Sequence, residues 1–259
     1  ITLISPHQAP GLYEAFGTED FDDLYLKYEA DKTIPKKTVA AQDLFGDLLK
    51  ERAETGRIYI MNLDHCNSHS SFKDKISMSN LCQEITLPTT PIQDIHDDQG
   101  EIALCILSAV NVGGLNDLGE LESICDLAVR ALEQIIDYQD YPVKAAEVST
   151  KRRRSLGVGY IGLAHYLAKH GVKYSDPKAW DLVDRLSEAF QYHLLRASCN
   201  IAMEKGKCEA FDRTKYADGL LPIDHYKKDV DKIVPHKQRM AWESLRKDIA
   251  KHGLRHSTL

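Results

Sequence analysis

No apolar run in this 259-residue chain reaches the roughly 20 residues that a membrane-spanning helix needs. A basic n-region followed by an apolar h-region is not found in the sequence either. Positive charge is not in surplus. Lys and Arg number 33 against 39 Asp and Glu, for a net charge of −6 and a pI near 6.0. A sequence-independent nucleic-acid binder needs a basic face, so that class is set aside. Six cysteines are too sparse for a disulfide framework. Reduced thiols and a cytoplasmic location are expected, with any disulfide transient or catalytic. Internal repeats and low-complexity tracts are also missing. The hydrophobic content of 43% suffices to bury the core of one large or two ordinary domains.

Along the chain, strand patterns alternate with long helical ones, which predicts an α/β protein. Residues 1–17 read as irregular, 21–28 as a short helix, and 36–54 as a stronger one with Val39, Leu44, Leu48 and Leu49 on one stripe and Gly56 beyond its end. The branched and aromatic run 57–63 reads as a strand, followed by a polar loop from Asp64 to Ser70. The apolar run 101–110 suits a strand covered on both faces. Residues 118–137 form an amphipathic helix through Leu121, Ile124, Leu127, Ala128, Ala131, Leu132 and Ile135. The longest helix spans 177–205, with Asp176 as N-cap, Pro177 at its first position and Gly206 past its end. A last helix covers 241–251 and stops at Gly253.

Function points to Ser79-Asn80-Leu81-Cys82-Gln83-Glu84. In extended backbone, alternate side chains share a face. Asn80, Cys82 and Glu84 would then line one wall, with Leu81 and Gln83 facing away. An amide that orients hydroxyls, a thiol, and a carboxylate that takes a proton suit work on a vicinal diol. Each has a plainer reading: a buried small hydrophobe for Cys82, a surface carboxylate for Glu84, a turn former for Asn80. No imidazole lies within 78–90 to activate the thiol as a nucleophile, although His65 or His69 could supply one from a distance. Cys105, in the apolar run, is a core residue or one member of a redox pair. Asp64, His65, Cys66 and His69 could ligate a metal, but the paired spacing of a zinc site occurs once only, and none is expected. The run Arg152-Arg153-Arg154 reads as a solvated face, with anion binding as the other reading. The glycines of Gly157-Val158-Gly159-Tyr160-Ile161-Gly162 match G-x-G-x-x-G by letters, with Asp176 as the possible acidic partner, but read better as close strand–helix packing. Cys125 and Cys199 read as packing residues.

Several motifs in register resemble one family. Ser79 to Glu84, then Leu87-Pro88-Thr89, is similar to the finger-loop signature of the large, catalytic subunit of class I ribonucleotide reductase. The spacing from Cys82 to Cys105 agrees with it. So do Gly56-Arg57-Ile58-Tyr59-Ile60, Asp64-His65-Cys66-Asn67, Asp137-Tyr138-Gln139-Asp140-Tyr141-Pro142, Arg154-Ser155-Leu156-Gly157-Val158-Gly159 and Gly253-Leu254-Arg255. The likeness runs from Ile1 to Leu259 and is nearest the bacterial and phage type.

The resemblance implies a ten-stranded α/β barrel threaded by a finger loop at about 78–100, with 1–259 forming the middle part of that catalytic domain. By position, Cys82 matches the thiyl-radical cysteine that abstracts the 3′ hydrogen of a ribonucleoside diphosphate. Glu84 matches the base, Asn80 the amide that polarises the substrate hydroxyls, and Cys105 one member of the redox-active pair. Leu81 and Gln83 complete the substrate-binding stretch. The family implies no cofactor bound by this segment, a radical from a metal-containing small subunit, electrons from thioredoxin or glutaredoxin, and a homodimer of full-length chains. The partner thiol of Cys105, the phosphate loop, the radical-relaying tyrosines and the regulatory domain are expected outside 1–259. Gln83 and His256 depart from the family pattern, which favours an apolar residue and Asn there. A different reading makes the chain a non-catalytic barrel segment, active only when assembled with flanking polypeptides.

Overall fold

Residues 1–233 and 237–259 are described by a computed structural model. They fall into two compact units, Ile1–Ser70 with Lys75–Leu87, and Ser71–Asp74 with Pro88–Leu259.

In the first unit β1 (Thr2–Ile4) pairs antiparallel with β2 (Lys36–Thr38), with Leu3 opposite Lys37. The helices α1 (Leu12–Ala15) and α2 (Phe21–Ala30) lie between them in sequence. Tyr25 of α2 grips β1: its hydroxyl accepts from Thr2 N at 2.7 Å and donates to Thr2 O at 2.9 Å. Pairing with β1 takes Lys36–Thr38 out of the helix expected there, and α3 covers Ala41–Thr55. It ends at Gly56, which takes a left-handed φ of +67° and returns its N–H to Arg52 O. The apolar stripe of α3 is only partly covered: Leu44 and Leu48 are half-buried, and Leu49 is 45% exposed.

The strand expected over 57–63 does not form: among the described residues no strand pairs with this segment. The loop expected after it is instead a helix, α4 (Leu63–His69). Leu63 is buried, and Asn67 staples the helix to the chain beyond it. Its Nδ2 donates to Leu63 O and Ile76 O, both at 2.9 Å, while its Oδ1 accepts from Ile76 N at 2.8 Å.

The second unit centres on a parallel pair, β3 (Ile106–Asn111) and β4 (Leu156–Ile161), in register from Ile106 opposite Leu156 to Asn111 opposite Ile161. Parallel neighbours need a long crossover. Here α5 (Leu121–Tyr138) and α6 (Lys144–Arg153) supply it. Strand β3 is shorter than the run 101–110 and is covered on one face only, since Leu107 is 59% exposed. Helix α5 buries Leu121, Cys125, Val129, Leu132 and Ile136. Its core stripe is therefore rotated from the expected one, leaving Leu127 and Ile135 outside. After β4 come α7 (Leu163–Lys169), α8 (Pro177–Lys205) and α9 (Trp242–His252). The Asp176 carboxylate accepts from Lys178 N at 2.9 Å to cap α8, as the sequence implied.

One core packs β3, β4 and α5 against Leu186, Phe190, Leu194 and Ile201 of α8. The other joins Leu195 and Cys199 of α8 to Trp242, Leu245 and Ile249 of α9. Each fully buried aliphatic side chain contributes about 1.5–3 kcal/mol. Cys125 and Cys199 are packing residues, both fully buried. The fold is α/β. Among the described residues its four strands form two separate pairs and no closed barrel.

The three arginines are not a solvated face. Arg153 and Arg154 are 2% and 4% exposed. An unpaired buried guanidinium would cost several kcal/mol, and acids meet both. Arg153 Nη2 donates to Glu101 Oε2 at 2.5 Å and its Nη1 to Asp74 Oδ2 at 2.8 Å. Arg154 reaches Glu133 Oε2 at 2.7 Å and Asp137 Oδ2 at 2.8 Å.

Candidate active site

Asn80, Leu81, Cys82 and Gln83 form a tight turn in the first unit. Gln83 N–H donates to Asn80 O at 3.2 Å to close it. Asn80 N then donates to Ile85 O at 3.2 Å, and Asn80 Oδ1 accepts from Ile85 N at 2.9 Å. The extended backbone expected here is thus replaced by a chain reversal, and the rule that alternate residues share a face does not apply. The cause is local. Asn forms side-chain bonds to backbone a few residues ahead more readily than it joins a ladder. Gln83 completes the reversal at a φ of +67°, uncommon for a residue with a Cβ.

The turn is presented outward from its unit. Asn80, Cys82 and Glu84 are exposed, and Leu81 at the tip is 86% exposed. Gln83 tethers the turn from below. With its amide oriented to satisfy both neighbours, Nε2 donates to Ile60 O and Oε1 accepts from Met61 N, each at 3.2 Å. The segment expected as a strand thus gives part of its bonding capacity to a side chain. Beside this tether lies a cleft of about 240 Å³ lined by Ile60, Met61, His65, Cys66, Gln83 and Thr86. His65 Nε2 stands 3.8 Å from Asp64 Oδ2, and His69 Nδ1 is 2.9 Å from Ser68 Oγ. Among the described residues no three His, Cys, Asp or Glu side chains are grouped to hold a metal ion.

Cys105 belongs to the second unit, at the entry to β3. The next residue is fixed by Ile106 N donating to Ser155 O at 3.4 Å. Burial pushes the Cys105 thiol up to about 11, so it is protonated at neutral pH. The same cause takes Cys125 to about 12 and both Cys199 and Cys208 to about 11. Those three are fully enclosed and inert, whereas Cys105 and Cys66 are half-buried and Cys82 is exposed.

The glycine motif runs along β4 into α7. Gly162 takes a φ of +79°, and a side chain there would collide with Asn111 Oδ1. At Gly157 a Cβ would stand 2.5 Å from Leu107 Cδ2. Asp176, the acid that a dinucleotide site would need, is occupied in capping α8. Gly157 and Gly162 are closely approached, but by Leu107, Cys105 and Asn111 of the neighbouring strand region and not by an α-helix, so the strand–helix packing preferred from the sequence is not what they serve. Gly159 has open space around it.

Set beside known proteins, residues 1–259 match the family described as ribonucleotide reductase, barrel domain. The chain belongs to that family. Among its relatives in the reductase family, it is 57% identical to the ribonucleoside-diphosphate reductase subunit alpha of Haemophilus influenzae and 54% identical to ribonucleoside-diphosphate reductase 1 subunit alpha of Escherichia coli K12. Identity to the subunit alpha of Enterobacteria phage T4 is 41%. Each comparison covers all of this chain but 35% of the relative, so the chain spans about a third of these reductase subunits. Among the described residues no helix is long and apolar enough to cross a membrane.

Two features around the reductase motifs went unread in the sequence. Nothing there distinguished Gln83 as a tether, since its partners lie more than 20 positions upstream. The burial of Arg154 did leave a signal: Glu133 falls between Leu132 and Ile136 on the core face of α5 and requires a cation there.

Proposed function

We propose that the chain serves, within a complete alpha subunit, as the middle part of a catalytic barrel that reduces ribonucleoside diphosphates to 2′-deoxyribonucleoside diphosphates. The barrel is ten-stranded, residues 1–259 fall within that one domain, and the finger at 78–100 threads it. One observation carries the reading: in a chain matched end to end by the reductase family, a tethered turn that opens at Asn80 presents Cys82 outward, and the exposed Glu84 follows it directly. The relatives' shared name favours this over a purely structural barrel segment.

The chemistry follows from those side chains. A thiyl radical at Cys82 takes the 3′ hydrogen of the ribose at nearly balanced energy. Glu84 takes the 3′-hydroxyl proton while the 2′-hydroxyl leaves as water, which is general acid–base work for a held carboxylate. The Asn80 amide holds the hydroxyls, and Leu81 and Gln83 complete the stretch that meets substrate. Cys105 and a partner thiol outside 1–259 supply two electrons and two protons and close to a disulfide. Cys82 then returns its hydrogen to C3′. The balance is one nucleotide and one dithiol giving one deoxynucleotide, one disulfide and one water. The exposed turn must be enclosed by the remaining parts of the subunit, because the radical intermediates need shelter from water.

The radical comes from a metal-containing small subunit, and thioredoxin or glutaredoxin reopens the disulfide by exchange. The assembly is cytoplasmic, with two alpha chains. In a complete subunit carrying this sequence, Cys82→Ser should abolish deoxynucleotide formation while leaving substrate binding intact. Turnover at the unaltered rate would overturn the proposal.

A further inference from the structure

Cys105 and Gly157 meet across two neighbouring strands. The parallel register sets Leu107 opposite Gly157 and Ala109 opposite Gly159. Alternate residues of a strand share a face, so these four lie on one side of the pair. Ile106, Val110, Leu156 and Val158, on the other side, pack into the helical core. Cys105 continues the outer series. A Cβ built on Gly157 would stand 3.1 Å from Cys105 Sγ and 2.5 Å from Leu107 Cδ2, so the thiol rests against the bare backbone of β4. Gly157 does not have the left-handed φ found at Gly162. Its neighbours, not its backbone conformation, demand glycine. Gly159, next on the same face, has nothing within 4 Å, so the requirement is specific to the position beside the thiol.

The backbone on both sides of Cys105 is fixed. Downstream, Ile106 N is bonded to Ser155 O. Upstream, Glu101 exchanges two backbone hydrogen bonds of 3.0 Å with Thr90. Its buried carboxylate accepts from Arg152 Nη1 at 2.9 Å and from Arg153 Nη2 at 2.5 Å. A Cβ at 157 would press on the Leu107 side chain and crowd the thiol between these two anchors. At 3.1 Å from a new Cβ the thiol would have to give by a few tenths of an ångström, and turning the Cys105 side chain away from β4 supplies that shift.

We infer that Gly157 is a positioning residue for Cys105, and that its missing side chain lets the thiol lie on β4 where a second sulfur can meet it. This rests on the redox role proposed above for Cys105, but its geometry can be tested without that role.

The test is alkylation of the reduced, complete subunit by iodoacetamide, with each cysteine followed by peptide mass spectrometry. Gly157→Ala should raise the Cys105 rate roughly tenfold, the effect of about one pKa unit on thiolate fraction. Cys125 and Cys199 should stay protected. The double variant Gly157→Ala with Leu107→Ala removes the closer clash and leaves the one with Sγ. Labelling that stays raised in the double variant supports positioning. A return to the wild-type rate there, or no change in the single variant, overturns it. If Cys125 and Cys199 also label in the single variant, the double variant decides alone. Should Cys105→Ser still turn over normally with a dithiol reductant, the redox role fails while the labelling result stands.

Discussion

Arg154 Nε donates to Glu133 Oε2 at 2.7 Å with both side chains buried, and this contact ties the end of the crossover to the core face of α5. Glu133 also accepts from Arg255 Nε at 2.8 Å and His256 Nε2 at 3.1 Å. One carboxylate therefore joins α5, the start of β4 and the last residues of the chain. Removing it leaves two guanidinium groups without their buried partner. Glu133→Ala should destabilise the second unit by about 3–5 kcal/mol, the usual cost of breaking a buried ion pair from one side. Urea unfolding checks this. A change under about 1 kcal/mol would show that the cations find water or other acids.

The same cluster sets an acid limit. Burial alone would raise the Glu133 pKa, but the hydrogen bonds from His256, Arg154 and Arg255 outweigh it and hold the carboxyl at about 2, against 4.5 when free. A depressed folded pKa gives stability that is complete above the free value and is lost as pH falls from 4.5 towards 2. His256 acts in the same direction at higher pH. Burial lowers its pKa below 6.5, and the attraction of Glu133 offsets only part of that. Its contribution is complete above 6.5 and declines below it. His256→Asn should flatten the decline of the unfolding midpoint that begins below pH 6.5 and leave the steeper loss below pH 4.5.

Gln83 predicts a local effect. Its two amide bonds to Ile60 O and Met61 N fix the turn that carries Cys82. Gln83→Leu keeps a Cβ at positive φ but removes both bonds, each contributing about 0.5–1.5 kcal/mol. The Met61 amide should exchange with deuterium faster in this variant. Unchanged protection at Met61 would show the turn is held by Asn80 alone.

How far the sequence could be read depends on where each element's determinants lie. Helix α8 was legible to its ends because cap, first-turn Pro, apolar stripe and terminal Gly are all local. Helices α4, α6 and α7 were not. Helix α4 depends on Asn67 reaching Ile76, α6 ends in arginines whose acids are distant in sequence, and α7 is a short helix hidden in the glycine motif. The proposed site residues Asn80, Cys82 and Glu84 were read as chemical types and through a family resemblance. Their geometry was not, because the Asn80 side chain bonds backbone at Ile85 and converts an apparent strand into a turn.

A smaller prediction tests the cap. Asp176→Ala removes the acceptor for Lys178 N and should lower stability by about 1 kcal/mol. Asp176→Asn should recover most of it. Equal losses in both variants would assign the effect to charge and not to capping.

The most direct measurement uses a ribonucleoside diphosphate carrying deuterium at C3′, supplied to a complete subunit with this sequence together with its radical-generating partner. If Cys82 takes and returns that hydrogen, turnover slows with the labelled substrate and some label escapes to solvent during reaction. Both signals vanish in Cys82→Ser. Equal rates for labelled and unlabelled substrate, with label released at the same rate when Cys82 is replaced, would contradict the assignment of the chemistry to this turn.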